Sequence, residues 1–337
     1  MSYEPVRWGI LSTAHINRLV IPPAKASPRV DIVAVASRDL APAEAYALTW
    51  EIPRAHGSYE ALLDDPEVEA IYISLPNSLH VEWSIKALEA GKHVLVEKPF
   101  DKRPERVEEA FDAAEHAGRL LMEAFMFRHN PQTKRVTELV ESGAIGNLQT
   151  IRAAFSYSLY DADNVRLRAD VEGGALMDVG CYCVSGSRLL GGEPMRVFGE
   201  QVVGPTGVDV RFHGTMRFPS GVVSQWDCGM VMPERDELEA IGDEASLFLD
   251  DPWHCRTPVI ELRRDGDRER IELEPVDSYG LQLENLSDAI RGVGEPLLDR
   301  QEAVAQARVI EALFGSAEDG AIVELADQIN PRRPARA

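Results

Sequence analysis

The sequence predicts an α/β protein in two parts: a doubly wound parallel sheet, and then an α+β domain with a large, mostly antiparallel open sheet. Over the first 125 residues, short apolar runs alternate with amphipathic helical segments, and such alternation requires parallel strands with helices on both faces. From residue 196 to residue 274, strand-like segments follow one another across short turns rich in Gly, Pro and Asp, which is typical of antiparallel pairing. We therefore expect one domain at residues 1–125 and a second at residues 126–337.

The elements of the first domain have regular patterns. Helices occupy the intervals between the apolar runs, and Gly91 and Gly118 stand where two helices should end, because glycine adopts the left-handed conformation of a C-cap without strain. Such an arrangement is a nucleotide-binding sheet of the Rossmann type, in which ligands lie at the carboxyl ends of the strands. The predicted strands are residues 6–11, 30–36, 70–75, 93–97 and 120–125.

In the second domain, strand-like and helical segments alternate less regularly, and an irregular polar stretch at residues 160–172 interrupts them. The end of the chain, residues 331–334, is expected to be a frayed tail. The predicted elements are a helix at 133–141, a strand at 148–157, a helix at 174–190, several strands up to residue 274, and helices at about 279–291 and 301–316.

Composition and charge limit the classes of function. The 337 residues include 56 Asp and Glu against 35 Lys and Arg, which gives a net charge of −21. Because such a surface repels phosphate backbones and anionic lipids, we expect neither nucleic-acid nor membrane binding. No run of about 18 apolar residues could cross a bilayer, and the N-terminus lacks the pattern of a signal peptide, so we expect a cytoplasmic protein.

The four cysteines form neither a disulfide framework nor a zinc site. Cys181 and Cys183 are two residues apart, and no second pair completes a set of ligands. We expect all four to be buried free thiols. The histidines also lack ligand spacing, so no metal is expected.

The turn after the first strand departs from the dinucleotide fingerprint. That fingerprint has glycine at three positions, where this chain has Ser12, Ala14 and Asn17. By itself the turn is as consistent with a structural bend as with a phosphate loop. Its context favours the loop, since a strand and a turn of small residues lead to a helix N-terminus whose free N–H groups suit a pyrophosphate.

The second strand ends at Ser37 and Arg38. An NAD enzyme usually carries an acidic residue there for the ribose 2′-hydroxyl. A hydroxyl beside a guanidinium instead matches a 2′-phosphate in charge and in donor geometry, which favours NADP, although NAD stays possible. The alternative is that Arg38 is a solvated loop residue.

Two further strand ends carry polar side chains. Asn77 follows the third strand and either faces a ligand or caps the next helix. Lys98 stands at the end of the fourth strand, where Pro99 should hold it extended. A partly desolvated lysine could donate to a substrate oxygen or transfer a proton, and the alternative is a surface salt bridge.

The densest signal in the second domain is the segment from Gly173 to Tyr182. Asp178 and Tyr182 are four residues apart on the predicted helix, so they should share one face. A carboxylate and a phenol on a helix that begins at a double glycine indicate a ligand site. The alternative is a structural hydrogen-bonding pair.

Three segments together resemble the glucose–fructose oxidoreductase/inositol dehydrogenase (Gfo/Idh/MocA) family. They are Glu97-Lys98-Pro99, Leu75-Pro76-Asn77 with His80, and the glycine-rich segment that ends at Tyr182. The similarity extends over about residues 5–326. Residues 7–14 and 123–129 further resemble the branch that contains dimeric trans-dihydrodiol dehydrogenase and NADP-linked D-xylose 1-dehydrogenases.

The resemblance implies an NADP-dependent oxidoreductase whose catalytic groups are Lys98, Tyr182 and Asp178. Asp178 and Lys98 would also contact the substrate, a sugar or a cyclic diol, and Arg166 would line the site. The family's C-terminal sheet commonly forms the interface of a homodimer or homotetramer. The residues expected at the cofactor are Ser12, Thr13, Ala14, His15, Ile16, Ser37, Arg38, Leu75, Pro76, Asn77, His80, Glu97 and Lys98.

Two alternative functions stay open at this point. A reductase of keto-sugars or anhydro-sugars would use the same residues, because hydride transfer is reversible. A non-catalytic NADP-binding regulator of the same fold would be expected to have lost Lys98, Asp178 and Tyr182, which this sequence keeps.

Overall fold

The computed structural model describes residues 4–161 and 163–325, and the chain separates into two compact units. Residues 331–334, the expected frayed tail, lie outside the described residues. Among the residues that the structure describes, no helix is long and apolar enough to cross a membrane. The first unit consists of Met1–Asn130, Asp170–Glu172 and Val276–Ala307, and the second of Pro131–Ala169, Gly173–Pro275 and Arg308–Ala337.

The first unit contains a six-stranded sheet in which every neighbouring pair is parallel. Its strands are β1 (Val6–Leu11), β2 (Val30–Ala36), β3 (Arg54–His56), β4 (Ala70–Ile73), β5 (His93–Glu97) and β6 (Leu121–Ala124). The helices that alternate with them are α1 (Asn17–Ala26), α2 (Leu40–Trp50), α3 (Tyr59–Leu63), α4 (His80–Glu89) and α5 (Pro104–Ala117).

The strand order β3-β2-β1-β4-β5-β6 confirms the predicted doubly wound sheet. The short strand β3 was not predicted, because its three residues, Arg54 to His56, carry no apolar run. Gly9 belongs to the core of this sheet and not to the phosphate turn. A Cβ atom at Gly9 would lie only 3.0 Å from Leu62 and 3.1 Å from Ile71, so a larger residue there would have to displace these side chains.

The second unit contains a nine-stranded sheet together with the helices α6 (Pro131–Glu141) and α7 (Cys181–Gly191) and the later part of a C-terminal helix. Every neighbouring pair of strands is antiparallel except β7 with β10, which confirms the expected mostly antiparallel sheet. The order is β14-β13-β12-β11-β7-β10-β9-β8-β15. The strands are β7 (Leu148–Ser158), β8 (Arg196–Val203), β9 (Asp209–Arg217), β10 (Val223–Gly229), β11 (Val231–Gly242), β12 (Ser246–Leu249), β13 (Val259–Arg264), β14 (Asp267–Glu272) and β15 (Val323–Glu324).

The C-terminal helices α8 (Ser278–Ile290) and α9 (Arg300–Asp319) do not follow the expected division at residue 125, which would place both in the second domain. The whole of α8 and the start of α9 belong to the first unit. There Trp8 Nε1 donates to Ser287 Oγ at 3.1 Å, and Arg29 donates to Asp288 at 2.8 Å. The periodicity of a helix shows which face is apolar but not which sheet that face covers, so the sequence alone could not assign α8.

Candidate active site

Four strands of the first unit, β1, β2, β4 and β5, end at one edge of the parallel sheet. A polar network joins the first and third of these ends. Ser12 Oγ lies 2.8 Å from Ser74 Oγ, Ser74 donates to Asn17 Oδ1 at 2.7 Å, and Asn17 Nδ2 donates to the carbonyl of Ser12 at 2.9 Å. All three side chains are buried, so these bonds fix the turn that leads into α1.

Ser12 replaces the first glycine of the fingerprint in conformation as well as in position. Its φ is 145°, in a region that normally favours glycine. Its hydroxyl also accepts a hydrogen bond from the N–H of Ala14 at 3.1 Å. Within residues 4–161 and 163–325, the N–H groups of Thr13, His15 and Ile16 have no hydrogen-bond partner. The turn therefore retains donors at a helix N-terminus, which fits a pyrophosphate despite the missing glycines.

Ser37 and Arg38 follow β2 at the same edge. The N–H of Ser37 donates to the carbonyl of His56 at 3.1 Å, which ties this strand end to β3. Arg38 is exposed, and its positive charge acts on the nearby Tyr59. Burial raises the pKa of Tyr59, and Arg38 partly opposes that rise. An exposed guanidinium beside a hydroxyl at this strand end fits a 2′-phosphate.

Asn77 and His80 take roles that the sequence did not indicate. Asn77 does not cap α4; it begins a short 3₁₀ turn, and its side chain donates to the carbonyl of Glu172 at 2.8 Å. His80 is 1% exposed, with its ring nitrogens 2.9 Å from the carbonyl oxygen of Pro99 and 2.8 Å from that of Leu75. Burial lowers the pKa of His80. The ring thus connects the ends of β4 and β5 from inside the unit, and its contact with the cofactor stays a prediction.

Lys98 follows β5 and is half-buried, and the bond between Lys98 and Pro99 is cis. The adjacent Glu97 is buried and accepts a hydrogen bond from the hydroxyl of Tyr72 at 2.5 Å. Leu75 is also buried, whereas Pro76 is partly exposed. Of the side chains expected at the cofactor, Ser12, Leu75, His80 and Glu97 are therefore buried and support the edge of the sheet.

The double glycine of the second unit is required by close packing. A Cβ atom at Gly173 would overlap the carbonyl oxygen of Arg166, and one at Gly174 would overlap the carboxylate of Asp209. Gly174 also has a φ of +126°, which side chains rarely tolerate. Asp209 accepts the N–H of Leu176 at 2.7 Å, so the glycines and this buried carboxylate together fix where the following helix begins.

The helix expected at residues 174–190 is not a single α-helix. It begins with a π-helical turn, Leu176–Gly180, and α7 follows directly. Hydrogen bonds in a π-helix join residues five apart. Asp178 lies in this π-helical turn and Tyr182 in α7, so the four-residue spacing between them spans two kinds of helix. A Cβ at Gly180 would lie 2.8 Å from Cys228 Sγ, so glycine permits the turn to lie against β10.

Asp178 is held by side chains from two other segments. The hydroxyl of Tyr157, near the end of β7, donates to Asp178 Oδ2 at 2.6 Å, and Arg166 Nε lies 2.9 Å from Asp178 Oδ1. Burial and the charge of Asp178 raise the pKa of Tyr157. The same carboxylate is the main cause of the raised pKa of Arg166. The structure thus brings together Arg166 and Asp178, as expected, and adds Tyr157.

Tyr182 is 6% exposed and lies in an aromatic cluster of the second unit. Its ring makes an edge contact with Phe155 at 5.3 Å between centroids and a tilted contact with Trp253 at 6.0 Å. Tyr182 is also close enough to Arg166 to contribute to the raised pKa of that guanidinium. The aromatic contacts fix the ring of Tyr182 in the neighbourhood of the Arg166–Asp178 pair.

Both parts of the chain match one family of known proteins. Residues 6–125 match the model of an oxidoreductase family with an NAD-binding Rossmann fold, and residues 133–248 match the Gfo/Idh/MocA C-terminal domain. The chain belongs to the Gfo/Idh/MocA family of oxidoreductases. The family resemblance inferred from the sequence is thereby confirmed, as is the prediction that the protein is an enzyme.

Individual relatives of this family member cover nearly the whole chain. It is 40% identical over 324 residues to D-xylose 1-dehydrogenase (NADP⁺) 2 of Haloferax volcanii, which covers 94% of this chain and 99% of that protein. It is 34% identical over 278 residues to human trans-1,2-dihydrobenzene-1,2-diol dehydrogenase, with 80% and 81% covered. The crystal structure of a 3-ketoreductase from Actinomadura kijaniata with NADP and TDP-benzene has a TM-score of 0.88, at 30% identity over 93% of this chain and 98% of that one.

Three side chains of the second unit bring possible metal-ligand atoms close together. Asp236, Asp251 and His254 place their ligand atoms within 4.8 Å of one another. His254 Nδ1, however, lies 2.7 Å from Asp236, and Asp236 also accepts the N–H of Trp253 at 3.2 Å. The N–H of Trp253 and the ring of His254 thus hold the Asp236 carboxylate, whereas Asp251 Oδ1 is buried and has no hydrogen-bond partner among the residues that the structure describes.

Sequence reasoning missed four residues of this region: Tyr157, Asp209, Phe155 and Trp253. None belongs to a local motif, and only the alternation along β7 could have suggested that Phe155 and Tyr157 share a face. The cysteines, in contrast, were predicted correctly, since all four are buried and free. Burial raises the pKa of Cys183 and Cys228 well above that of an exposed thiol.

Proposed function

We propose that this protein is an NADP-dependent oxidoreductase that transfers a hydride between the nicotinamide and a hydroxyl-bearing carbon of a sugar or cyclic diol. The observation that carries the proposal is the second unit's set of Arg166, Asp178 and Tyr182, in which a fixed carboxylate and a phenol lie in one neighbourhood. Such groups suit hydroxyl recognition and proton transfer. The dehydrogenases of xylose and of dihydrodiols among the relatives support this class of substrate.

The residues at the edge of the parallel sheet fit NADP. The N–H groups near the start of α1 would hold the pyrophosphate, and Ser37 with Arg38 would hold the 2′-phosphate. When bound, the nicotinamide supplies or accepts the hydride. We propose that the first unit contributes Lys98 to this chemistry, as the family resemblance implies.

Proton transfer is assigned to Tyr182. In the oxidative direction its phenolate would take the proton of the substrate hydroxyl, and in the reductive direction its phenol would return it. The family resemblance assigns Lys98 to the same reaction, in which its positive charge would favour an anionic oxygen. Asp178 would accept hydrogen bonds from the substrate hydroxyls and orient the sugar, and Arg166 would line the site.

A reductase of keto-sugars is the second candidate. The observation that favours it is a group of relatives named dTDP-3,4-didehydro-2,6-dideoxy-α-D-glucose 3-reductase, one of which, from Actinomadura kijaniata, is 30% identical over 322 residues. Tyr182 as the proton donor and the positive charge of Lys98 would also serve the reduction of a ketone.

We also propose that the nine-stranded sheet mediates a homodimer or homotetramer, since β8 exposes Phe198, Val202 and Val203.

The test is a turnover screen that follows the absorbance of the reduced nicotinamide. NADP⁺ and NAD⁺ are each offered with aldoses, polyols and dihydrodiols, and NADPH is offered with keto-sugars and anhydro-sugars. Turnover of an aldose or diol with NADP⁺ is the expected result, and turnover of only the ketones would favour the reductase. A strong preference for NAD⁺ would contradict the role of Arg38, and no turnover with any compound would overturn the proposal.

A further inference from the structure

Tyr157 lies outside every motif that indicated the site, yet it makes the shorter of the two side-chain contacts described for Asp178. Its hydroxyl is 2.6 Å from Oδ2, whereas Arg166 Nε is 2.9 Å from Oδ1. We propose that Tyr157 is a positioning residue that sets the orientation of the Asp178 carboxylate towards the substrate. This inference rests on the proposed function, because it assigns Asp178 to substrate hydroxyls.

The local backbone explains why the carboxylate needs such a partner. Asp178 lies in a π-helical turn, where the side-chain directions of an α-helix do not apply. Two torsions of the aspartate side chain therefore depend on the contacts around it. Tyr157 comes from the sheet strand β7 and its rigid ring has few torsions, whereas Arg166 lies in the irregular stretch and leaves 43% of its side chain exposed. The tyrosine is the better fixed of the two partners.

Tyr157 is also distinct from the proposed proton carrier. Its hydroxyl proton is used in the bond to Asp178, and burial together with the charge of Asp178 raises its pKa. Tyr157 therefore serves as a neutral hydrogen-bond donor to Asp178. Tyr182, held by Phe155 and Trp253, remains the group assigned to proton transfer.

The role predicts a specific kinetic pattern for Tyr157→Phe, which removes only the hydroxyl. A hydrogen bond to a charged group is worth roughly 10- to 100-fold in an equilibrium or rate, so kcat/KM for the substrate should fall by about that factor. The dissociation constant for NADPH should not change, because the residues proposed to bind it belong to the first unit. Tyr160→Phe is the matched control: it removes a hydroxyl three residues further along, from a side chain of a residue that is 92% exposed, and should keep wild-type kinetics.

A double-mutant cycle with Asp178→Asn separates positioning from other effects. If Tyr157 acts through the carboxylate, Tyr157→Phe should lower kcat/KM by less than about twofold once Asp178 is replaced. The reason is that the effects of two coupled residues do not add. The proposal is overturned if Tyr157→Phe retains wild-type kcat/KM, if it costs the same factor in both backgrounds, or if the variant does not fold by circular dichroism. Absence of turnover by the wild-type protein with every sugar and diol overturns the proposed function instead, so the two failures are distinguishable.

Discussion

The two units hold their candidate functional residues by different means. In the first unit, several side chains at the strand ends bond to main-chain carbonyls: Asn17 donates to the carbonyl of Ser12, and the ring of His80 lies between the carbonyls of Leu75 and Pro99. In the second unit, Asp178 is held by other side chains, Tyr157 and Arg166. A site built from main-chain contacts follows from where strands end, whereas a site built from side-chain pairs depends on which segments meet.

The largest effects are expected from replacing the proposed catalytic groups, Lys98 in the first unit and Tyr182 in the second. Lys98→Met and Tyr182→Phe should each lower kcat by about 10²- to 10⁴-fold, the usual range for a proton-transfer group, with little change in NADP affinity. Steady-state kinetics and fluorescence titration of NADPH measure the two quantities. Lys86→Met, on the exposed side of α4, is the matched control for Lys98. Wild-type rates for both variants would refute the assignment.

A smaller effect is expected from the cofactor edge of the first unit. Arg38→Ser should weaken NADP⁺ binding by roughly 10- to 100-fold and leave NAD⁺ binding almost unchanged, because only NADP⁺ carries the 2′-phosphate. The comparison of KM for the two cofactors measures this selectivity. Arg135→Ser, which removes an exposed guanidinium from α6, should leave both values unchanged. Equal loss for NADP⁺ and NAD⁺ would mean that Arg38 does not contact the phosphate.

The stability of Ser12 variants tests how the turn after β1 is held in the first unit. Ser12→Ala loses the hydroxyl bonds to Ser74 and Ala14 but keeps a φ that suits glycine, so we expect the free energy of unfolding to fall by about 1–3 kcal/mol. Ser12→Gly also loses the bonds but relieves the strain, so its loss should be smaller. Urea unfolding of both variants measures these two losses in the free energy of unfolding. A glycine variant less stable than the alanine variant would show that relief of backbone strain at this φ does not stabilise the turn.

The smallest effect is a pH dependence of the first unit's stability. Burial lowers the pKa of His93 to about 4, and His93 Nδ1 accepts the N–H of Leu120 at 2.9 Å, so the folded state favours the neutral ring. An unfolded histidine has a pKa of about 6.5, so its stabilising contribution is complete above that pH. It is lost as the pH falls from about 6.5 towards 4, because only the unfolded chain then binds the proton.

Urea unfolding at several pH values measures this dependence. One such proton gives at most about 1.4 kcal/mol per pH unit, and partial exposure of His93 reduces it. His93→Asn should flatten the curve between pH 6.5 and 4 while retaining an acceptor for Leu120. Part of the slope should persist, since burial also lowers the pKa of His129 to about 3. An unchanged slope in His93→Asn would exclude His93 as its source.

The sequence predicted the fold correctly and located the strand ends, because both depend on local patterns. Apolar runs located all the long parallel strands, and the strand ends located Ser37, Arg38 and Lys98. It did not predict that Ser12 would adopt the backbone conformation of a glycine, since that depends on buried hydrogen bonds to Ser74 and Asn17. It also assigned α8 to the second domain, because an apolar helix face does not reveal its partner.

By itself, the sequence determined the fold class, the family and most of the residues assigned to the site. These follow from periodicity, from strand ends and from short motifs, all of which are local along the chain. Only the tertiary structure decided how Asp178 is held, because Tyr157, Arg166 and the π-helical turn meet there from three separate segments. Contacts between distant segments depend on which faces pack together, and no pattern within one segment contains that information.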